Sequence, residues 1–284
     1  MKVVFSHRCL EYYEPGHPES PIRVRAAYQF LKERGYEFVE PTPASEADLL
    51  KVHTKEYVER IKSGRFWDPD TPAYENIYEY ARLSAGGAIL AARIGGFSLM
   101  RPPGHHAGRS GLALGAPSLG FCYFNNIAIA IRSLDRGALI VDIDGHHGNG
   151  TQEIFLGDDR VWYVSLHRSP LYPGTGLRSE KNCLNFPLPR NAGDELYLKA
   201  LKKALEMVDL GGVEVVGISA GFDAHAHDPL ASLGLTSRCY RKIGQMIASL
   251  GRPVFAVLEG GYNPKYIGLN IHELIQGLEG APPA

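Results

Sequence analysis

Ala138-Leu-Ile-Val-Asp-Ile-Asp-Gly-His-His-Gly-Asn-Gly150 is the stretch whose reading decides the fold. Its first half, ALIVDI over 138–143, is an apolar run without polar alternation. A strand with one face in water alternates, so a continuous run belongs to a strand buried on both faces, as in a parallel sheet covered by helices. Its second half turns abruptly to glycine, carboxylate and imidazole. Working outward, KVVF (2–5), FSLM (97–100), VWYVSL (161–166), VEVVGIS (213–219) and PVFAVLE (253–259) read as further strands. Helical patterns lie near 20–34, 75–94, 124–134, 193–209, 236–250 and 264–278. Strands separated by helices predict a doubly wound α/β architecture with a mainly parallel central sheet and helices on both faces. We read it as one domain over 1–284. No repeat or linker interrupts it, and only Gly-Ala-Pro-Pro-Ala (280–284) reads as a frayed tail.

Composition narrows the function. Lysine plus arginine, 30, balances aspartate plus glutamate, 31, so nothing points to a basic face or a nucleic-acid partner. Cys9, Cys122, Cys183 and Cys239 are scattered without a C-x-x-C pair, which suits free thiols in a reducing compartment. No segment approaches the roughly 20 apolar residues of a membrane-spanning helix, and the N-terminus lacks the apolar stretch of a signal peptide. The expectation is a soluble cytoplasmic protein.

In open α/β sheets ligands bind beyond the carboxyl ends of the strands, so the turns that follow the strands carry the chemistry. FSLM leads into Arg101-Pro-Pro-Gly-His105-His106, and ALIVDI into Asp144-Gly-His146-His147-Gly-Asn149. VEVVGIS leads into Ala220-Gly-Phe-Asp223-Ala-His225, and PVFAVL into Glu259-Gly-Gly-Tyr262. In an extended segment Asp142, Asp144 and His146 share a face. Two adjacent carboxylates repel unless a cation lies between them, so the spacing asks for a metal. The plainer alternative is an aspartate capping the next helix and a histidine satisfied in the core. Asp223, at another strand end, supplies a third ligand and favours the metal. Two carboxylates and one imidazole form an open, catalytic set suited to Zn²⁺, with Fe²⁺ and Mn²⁺ compatible by ligand type. His105 and His106, whose neighbouring side chains are expected to diverge, read as base and acid beside the site, with Asp142 and Asn149 available to orient them. Tyr262 reads as an oxyanion donor, or more commonly for a tyrosine, as a packed ring.

RPPGHHA, GFCYFNN, DIDGHHGNGTQ, SLH, GFDAH and LEGGYN occur in that order, preceded by Gly16-His17-Pro18-Glu19 with Pro21 and Arg23. Together they resemble the histone deacetylase and acetylpolyamine amidohydrolase family, whose fold is related to arginase. The resemblance implies zinc on Asp144, His146 and Asp223, with His106 as main base and acid and His105 assisting. It implies that Tyr262 polarises an acetyl carbonyl, that Asp142 orients His105 and that Asn149 orients His106. Asparagine at 149 resembles class II of the family, since class I usually has aspartate there. Gly120 and Phe121 would form one wall of an acyl-lysine tunnel. Tyr172 would stand opposite, where Phe is frequent, roughening the mouth or reaching the substrate. Arg23 would line an inner cavity through which acetate leaves. K⁺ is implied on Asp142 and Asp144 with backbone near His146, Ser165 and Leu166, and at a weaker site near Phe155 and Val161.

Departures from the family pattern are a short chain and a Gly/Ala/Ser-rich stretch over 107–119, expected to pack little and act as a mobile lid. Leu230 stands where polyamine-selective relatives carry an acidic residue. His17 is expected to anchor the N-terminal loop, His53 and His272 to lie in helices, His147 to be a buried donor and His227 to sit on the rim. The reading is a zinc-dependent hydrolase removing acetyl or short acyl groups from amines such as acetyl-lysine. Its alternatives are a deacetylase of acetylated polyamines or small metabolites, a binuclear-manganese ureohydrolase, and a non-catalytic acyl-lysine binder.

Overall fold

The computed structural model describes residues 1–280, so the expected tail lies, beyond Gly280, outside the described residues. Eight strands form one sheet: β1 (Val3–Val4), β2 (Phe38–Val39), β3 (Phe97–Ser98), β4 (Ala138–Asp142), β5 (Val161–Arg168), β6 (Cys183–Leu188), β7 (Val215–Ala220) and β8 (Val254–Leu258). Their order is β2-β1-β3-β8-β7-β4-β5-β6, and every pairing is parallel. Helices fill the connections: α1 (Pro21–Glu33), α2 (Glu46–Leu49), α3 (Lys55–Ser63), α4 (Ile77–Ile94), α5 (Asn126–Leu134), α6 (Asn149–Phe155), α7 (Gly193–Glu206), α8 (Ser237–Ala248) and α9 (Ile267–Glu279).

The period-2 geometry of β4 splits its apolar run between two cores. Leu139 and Val141 pack with Val24 and Leu31 of α1, Leu201 of α7, Ile243 of α8 and Ile271 of α9. Ala138 and Ile140 pack with Tyr57 of α3, Ala85 of α4, Ile127 of α5 and Ile154 of α6. All five residues of β4 are buried, as the unbroken run required. Among the described residues no helix is long and apolar enough to cross a membrane. The four cysteines are unpaired and buried.

Sequence patterns missed β2, β6 and the short helices α2, α3 and α6. His53 lies in the bend between α2 and α3, not in a helix; its Nδ1 bonds Gly108 O (2.9 Å) and its Nε2 accepts from Asn125 N (2.9 Å). His17 does anchor the N-terminal loop, through Asp70 O (3.0 Å), and His272 lies in α9.

The loop before α1 is fastened to the end of β3 by a buried ionic cluster. Arg101 donates to both carboxylate oxygens of Glu19 at 2.8 Å and to the backbone oxygens of Cys9, Tyr12 and Glu19. Arg23 donates to the same carboxylate at 3.1 Å. Burial pushes the Glu19 carboxyl up, but the Arg101 and then the Arg23 guanidinium outweigh it and hold it below its usual value. Its stabilisation is therefore complete above the ordinary glutamate range and is lost as pH falls through the depressed value. Glu19→Gln strands two buried guanidinium groups without a counter-charge. The expected loss is about 3–5 kcal/mol, read from the urea midpoint at pH 7; an unchanged midpoint would refute this account.

Candidate active site

Parallel pairing with β4 sets Asp142 beside Ser165 of β5 and Ser219 of β7. The turns leaving the adjacent strands β3, β8, β7 and β4 therefore open on one rim. On that rim Asp144, His146 and Asp223 offer ligand atoms all within 4.8 Å of one another. Asp144 Oδ2 accepts from Gly260 N (2.8 Å), and its Oδ1 accepts from His146 N (2.9 Å) and faces His146 Nδ1 (3.1 Å). Asp223 Oδ1 accepts from Gly145 N (2.7 Å). Its Oδ2 lies 2.8 Å from His146 Nδ1 yet is buried without a hydrogen bond. One ring proton cannot serve two carboxylates. Burial lowers the affinity of His146 for a proton, but Asp223 and then Asp144 raise its pKa to about 10. Asp223 is raised by burial and by Asp144. The cluster thus lacks positive charge, and its one unpartnered oxygen faces the ring nitrogen, a set that could hold a divalent cation. Among the three, His146 retains 12% side-chain exposure, so the cluster is open from that side.

His105 and His106 do not diverge. Their rings lie side by side, centroids 4.1 Å apart and tilted by 49°. His105 Nδ1 bonds Asp142 Oδ2 (3.0 Å), which also accepts from Tyr163 Oη (2.9 Å), and its Nε2 is 3.8 Å from Asp144 Oδ1. Burial opposes its charge, but Asp142, Asp144 and Glu259 hold its pKa at about 10. His106 Nδ1 bonds Asn149 Oδ1 (2.7 Å), and Asn149 Nδ2 donates to Ala113 O (2.9 Å). Burial, then the charges of His105 and His146, push His106 well below its ordinary value. One imidazole is built to be charged and its neighbour to be neutral.

Gly120 lies directly against the His106 ring of this pair, and Phe121 follows it. At Gly120, φ is +57°, and a Cβ would collide with the His106 ring and sit 2.8 Å from Tyr172 Oη, so only glycine fits. Phe121 has φ +70°, a strain of about 1–3 kcal/mol for a non-glycine residue, and is held there by Thr71 Oγ1, which accepts from its N–H (2.9 Å). Its ring meets that of Tyr262 edge-on at 5.9 Å. Tyr172 stands edge-on to His106 at 5.0 Å and His146 at 6.1 Å. Its hydroxyl donates to Ser118 O (2.8 Å) and is committed to the protein. Arg23 is buried and donates to the backbone oxygens of Glu259 and Gly261 (2.8 Å for the latter) and to Glu19.

The 107–119 stretch corrects the expectation of poor packing. Its small residues let it lie close: Ala107, Gly108, Gly111, Ala113, Ala116 and Ser118 are buried. Arg109 Nη2 donates to Ile154 O (2.7 Å), Ser118 Oγ to Asp70 Oδ2 (2.5 Å) and Leu119 N to Asp68 Oδ2 (3.0 Å). Motif reading missed Asp68, Asp70 and Thr71, which pin this wall, and Tyr163. It also missed Asp228, whose Oδ2 accepts from Tyr262 N (2.7 Å). His147 is buried between Thr175 and Gln152, and His227 is exposed, outside the metal-ligand cluster.

Comparison with known proteins gives the family. The histone deacetylase domain model matches residues 17–278. The chain belongs to the histone deacetylase family. A probable deacetylase of Archaeoglobus fulgidus is 38% identical, over 98% of this chain and 86% of the relative. The solved HD domain of HDA15 is 34% identical and superposes with a TM-score of 0.87, covering 99% of this chain and 91% of that one. An acetylpolyamine aminohydrolase of Burkholderia pseudomallei, 24% identical over 98% of each chain, shares the fold at a TM-score of 0.87. Family membership makes the chain a hydrolase of the deacetylase class, with the arginase/deacetylase fold.

The neutral partner of His106 yields a signed expectation. In Asn149→Asp a carboxylate replaces the amide oxygen 2.7 Å from Nδ1 and favours the imidazolium. If neutral His106 is the working form, the acidic limb of kcat/KM moves to higher pH by about one unit or more. A pH–rate profile with an unmoved limb would remove His106 from that role.

Proposed function

We propose that the chain is a zinc-dependent deacetylase that hydrolyses acetyl or short acyl amides of amines, acetyl-lysine foremost, with acetylated polyamines or other small metabolites as the alternative. The observation that carries this reading is the cation-seeking Asp144–His146–Asp223 cluster, with the neutral His106 ring centroid 6.0 Å from that of His146. Asp144, His146 and Asp223 would hold the Zn²⁺, and Fe²⁺ suits the same ligands. When bound, the metal supplies Lewis acidity toward a carbonyl and a water.

The protein groups supply the proton chemistry. Ala113 O fixes the Asn149 amide so that Oδ1 faces His106, and His106 Nδ1 must then carry hydrogen. The free lone pair is on Nε2, where His106 takes a proton from water and afterwards returns it to the leaving amine. His105, held charged chiefly by Asp142 and then by Asp144, assists with a fixed positive charge. Burial pushes the Tyr262 phenol well above its usual pKa and keeps it a donor to the acyl oxygen as negative charge develops there. Phe121 and Tyr172 flank the substrate chain, Gly120 lets this wall close against the His106 ring, and Arg23 steadies the turn that carries Tyr262. The same reading places K⁺ at Asp142 and Asp144 and a second ion near Phe155 and Val161, and the protein in the cytoplasm.

The test is turnover of a fluorogenic acetyl-lysine peptide by metal-stripped protein, before and after one equivalent of Zn²⁺, with a hydroxamate as control. Zinc-restored, hydroxamate-sensitive cleavage is expected. Tight zinc binding without cleavage would move the substrate to another acylated amine. In the active protein, Tyr262→Phe is expected to lower kcat by about 10²–10³-fold, by analogy with other oxyanion donors. An unchanged kcat would remove its oxyanion role.

A further inference from the structure

Glu259 carries no proton and holds no ligand in the chemistry above, yet it is a fully buried carboxylate immediately after β8, beside the turn that carries both histidines. Its Oε2 accepts from Gly104 N (2.7 Å) and His105 N (3.1 Å), and its Oε1 accepts from Ser219 Oγ (2.9 Å) of β7. On the other side of the same residue, Thr151 N of α6 donates to His105 O (3.0 Å). The His105 backbone is thereby gripped at both polar atoms, from β8 and from α6. No solvent reaches Glu259 to replace its part of the grip, and a buried N–H left without an acceptor costs about 1–3 kcal/mol. The next residue, Gly260, spends its N–H on Asp144 (2.8 Å). A single turn therefore sets the histidine pair and a metal-ligand carboxylate relative to each other.

We infer that Glu259 is a positioning residue for the reaction: as a hydrogen-bond acceptor of one particular reach it fixes the Gly104–His105 backbone, and with it the His105 and His106 rings, against Asp144. This rests on the deacetylase reading for the chemistry that the rings perform. A role of reach and a role of charge separate in two variants. Glu259→Gln keeps the reach and loses the charge: its amide oxygen still accepts from Gly104 and His105, and its NH₂ can donate to Ser219 Oγ. Glu259→Asp keeps the charge and withdraws the acceptor by one C–C bond, about 1.5 Å.

The experiment measures kcat and KM of zinc-loaded wild-type, Gln and Asp proteins on the acetyl-lysine peptide, together with amide hydrogen exchange at Gly104 and His105. Glu259→Asp is expected to lower kcat about tenfold or more, since displacements near 1 Å can cost about 10²-fold. Its KM should stay within about twofold, and exchange at the two amides should accelerate. Glu259→Gln should remain within about threefold of wild type in kcat, with wild-type exchange. Wild-type kcat and exchange in the Asp variant would overturn the inference. So would a Gln variant as impaired as the Asp one, which would assign the effect to charge. Were the Asp variant not to fold, the Gln variant alone decides: retained exchange and kcat uphold the acceptor role, and loss of either overturns it. Exchange reads the grip whether or not the wild-type protein cleaves the peptide, so a failed substrate reading and a failed grip are told apart.

Discussion

Asp144 and Asp223 are two carboxylates held dry at the ends of neighbouring strands, and the rest of the site is arranged around their repulsion. At a separation of no more than 4.8 Å and an effective dielectric of about 20, two unit charges oppose each other by at least about 3.5 kcal/mol. Backbone N–H groups of Gly145, His146 and Gly260 point at them and relieve part of it. His146 relieves more by carrying a proton between them, but its Nδ1 has one proton for two oxygens, and Asp223 Oδ2 remains unpartnered. Asp144 ends up well below the usual carboxylate range because His105 and His146 outweigh its burial, whereas Asp223 ends up above it. That split is the electrostatic signature of a pair sharing too little positive charge.

The sheet is what makes so costly an arrangement possible. β3, β8, β7 and β4 are neighbours in space, although β3 and β8 are more than 150 residues apart in sequence. Each contributes the first residues of its exit turn, and each turn is fastened to another: Glu259 to Gly104 and His105, Gly260 to Asp144, Gly145 to Asp223. Two cores, one on each face, hold the strands from above and below. The polar site is thus confined to a rim whose backbone is already paired. Its carboxylates serve twice, accepting from the turn N–H groups while Asp144 and Asp223 also face the His146 ring.

Residues that act through their own chemical type were legible in the sequence. Asp142, Asp144, His146, Asp223 and the histidine pair stand just beyond apolar runs, and β4 shows itself by an unbroken ALIV. Residues that act by accepting backbone N–H groups were not. Glu259, Asp70 and Asp228 each hold a turn distant in sequence, and no local spacing marks such a contact. β6 went unread because Asn185 and Pro187 interrupt its apolar run, and β2 because two half-buried residues make no pattern. α3 left a signal that was missed: Thr54 caps it, Gly64 ends it in the left-handed region, and Tyr57, Val58 and Ile61 form its buried stripe. The 107–119 stretch misled because small residues read as loose, when their size is what allows close approach: a Cβ on Gly108 would collide with the Glu153 carboxylate.

The two histidines show how little sequence is needed to divide labour inside such a rim. They are consecutive, equally buried and 4.1 Å apart, so position alone cannot distinguish them. Their partners do. Asp142, itself steadied by Tyr163, gives His105 a negative neighbour and keeps its proton. Asn149 gives His106 an acceptor without charge, and the positive His105 alongside then works against a second imidazolium. The charge on one ring is therefore a cause of the neutrality of the other. A carboxylate on both would favour an imidazolium on both and leave no neutral ring, and an amide on both would leave the rim without its fixed positive charge. The single difference between Asp142 and Asn149 turns two like residues into one charged and one neutral imidazole.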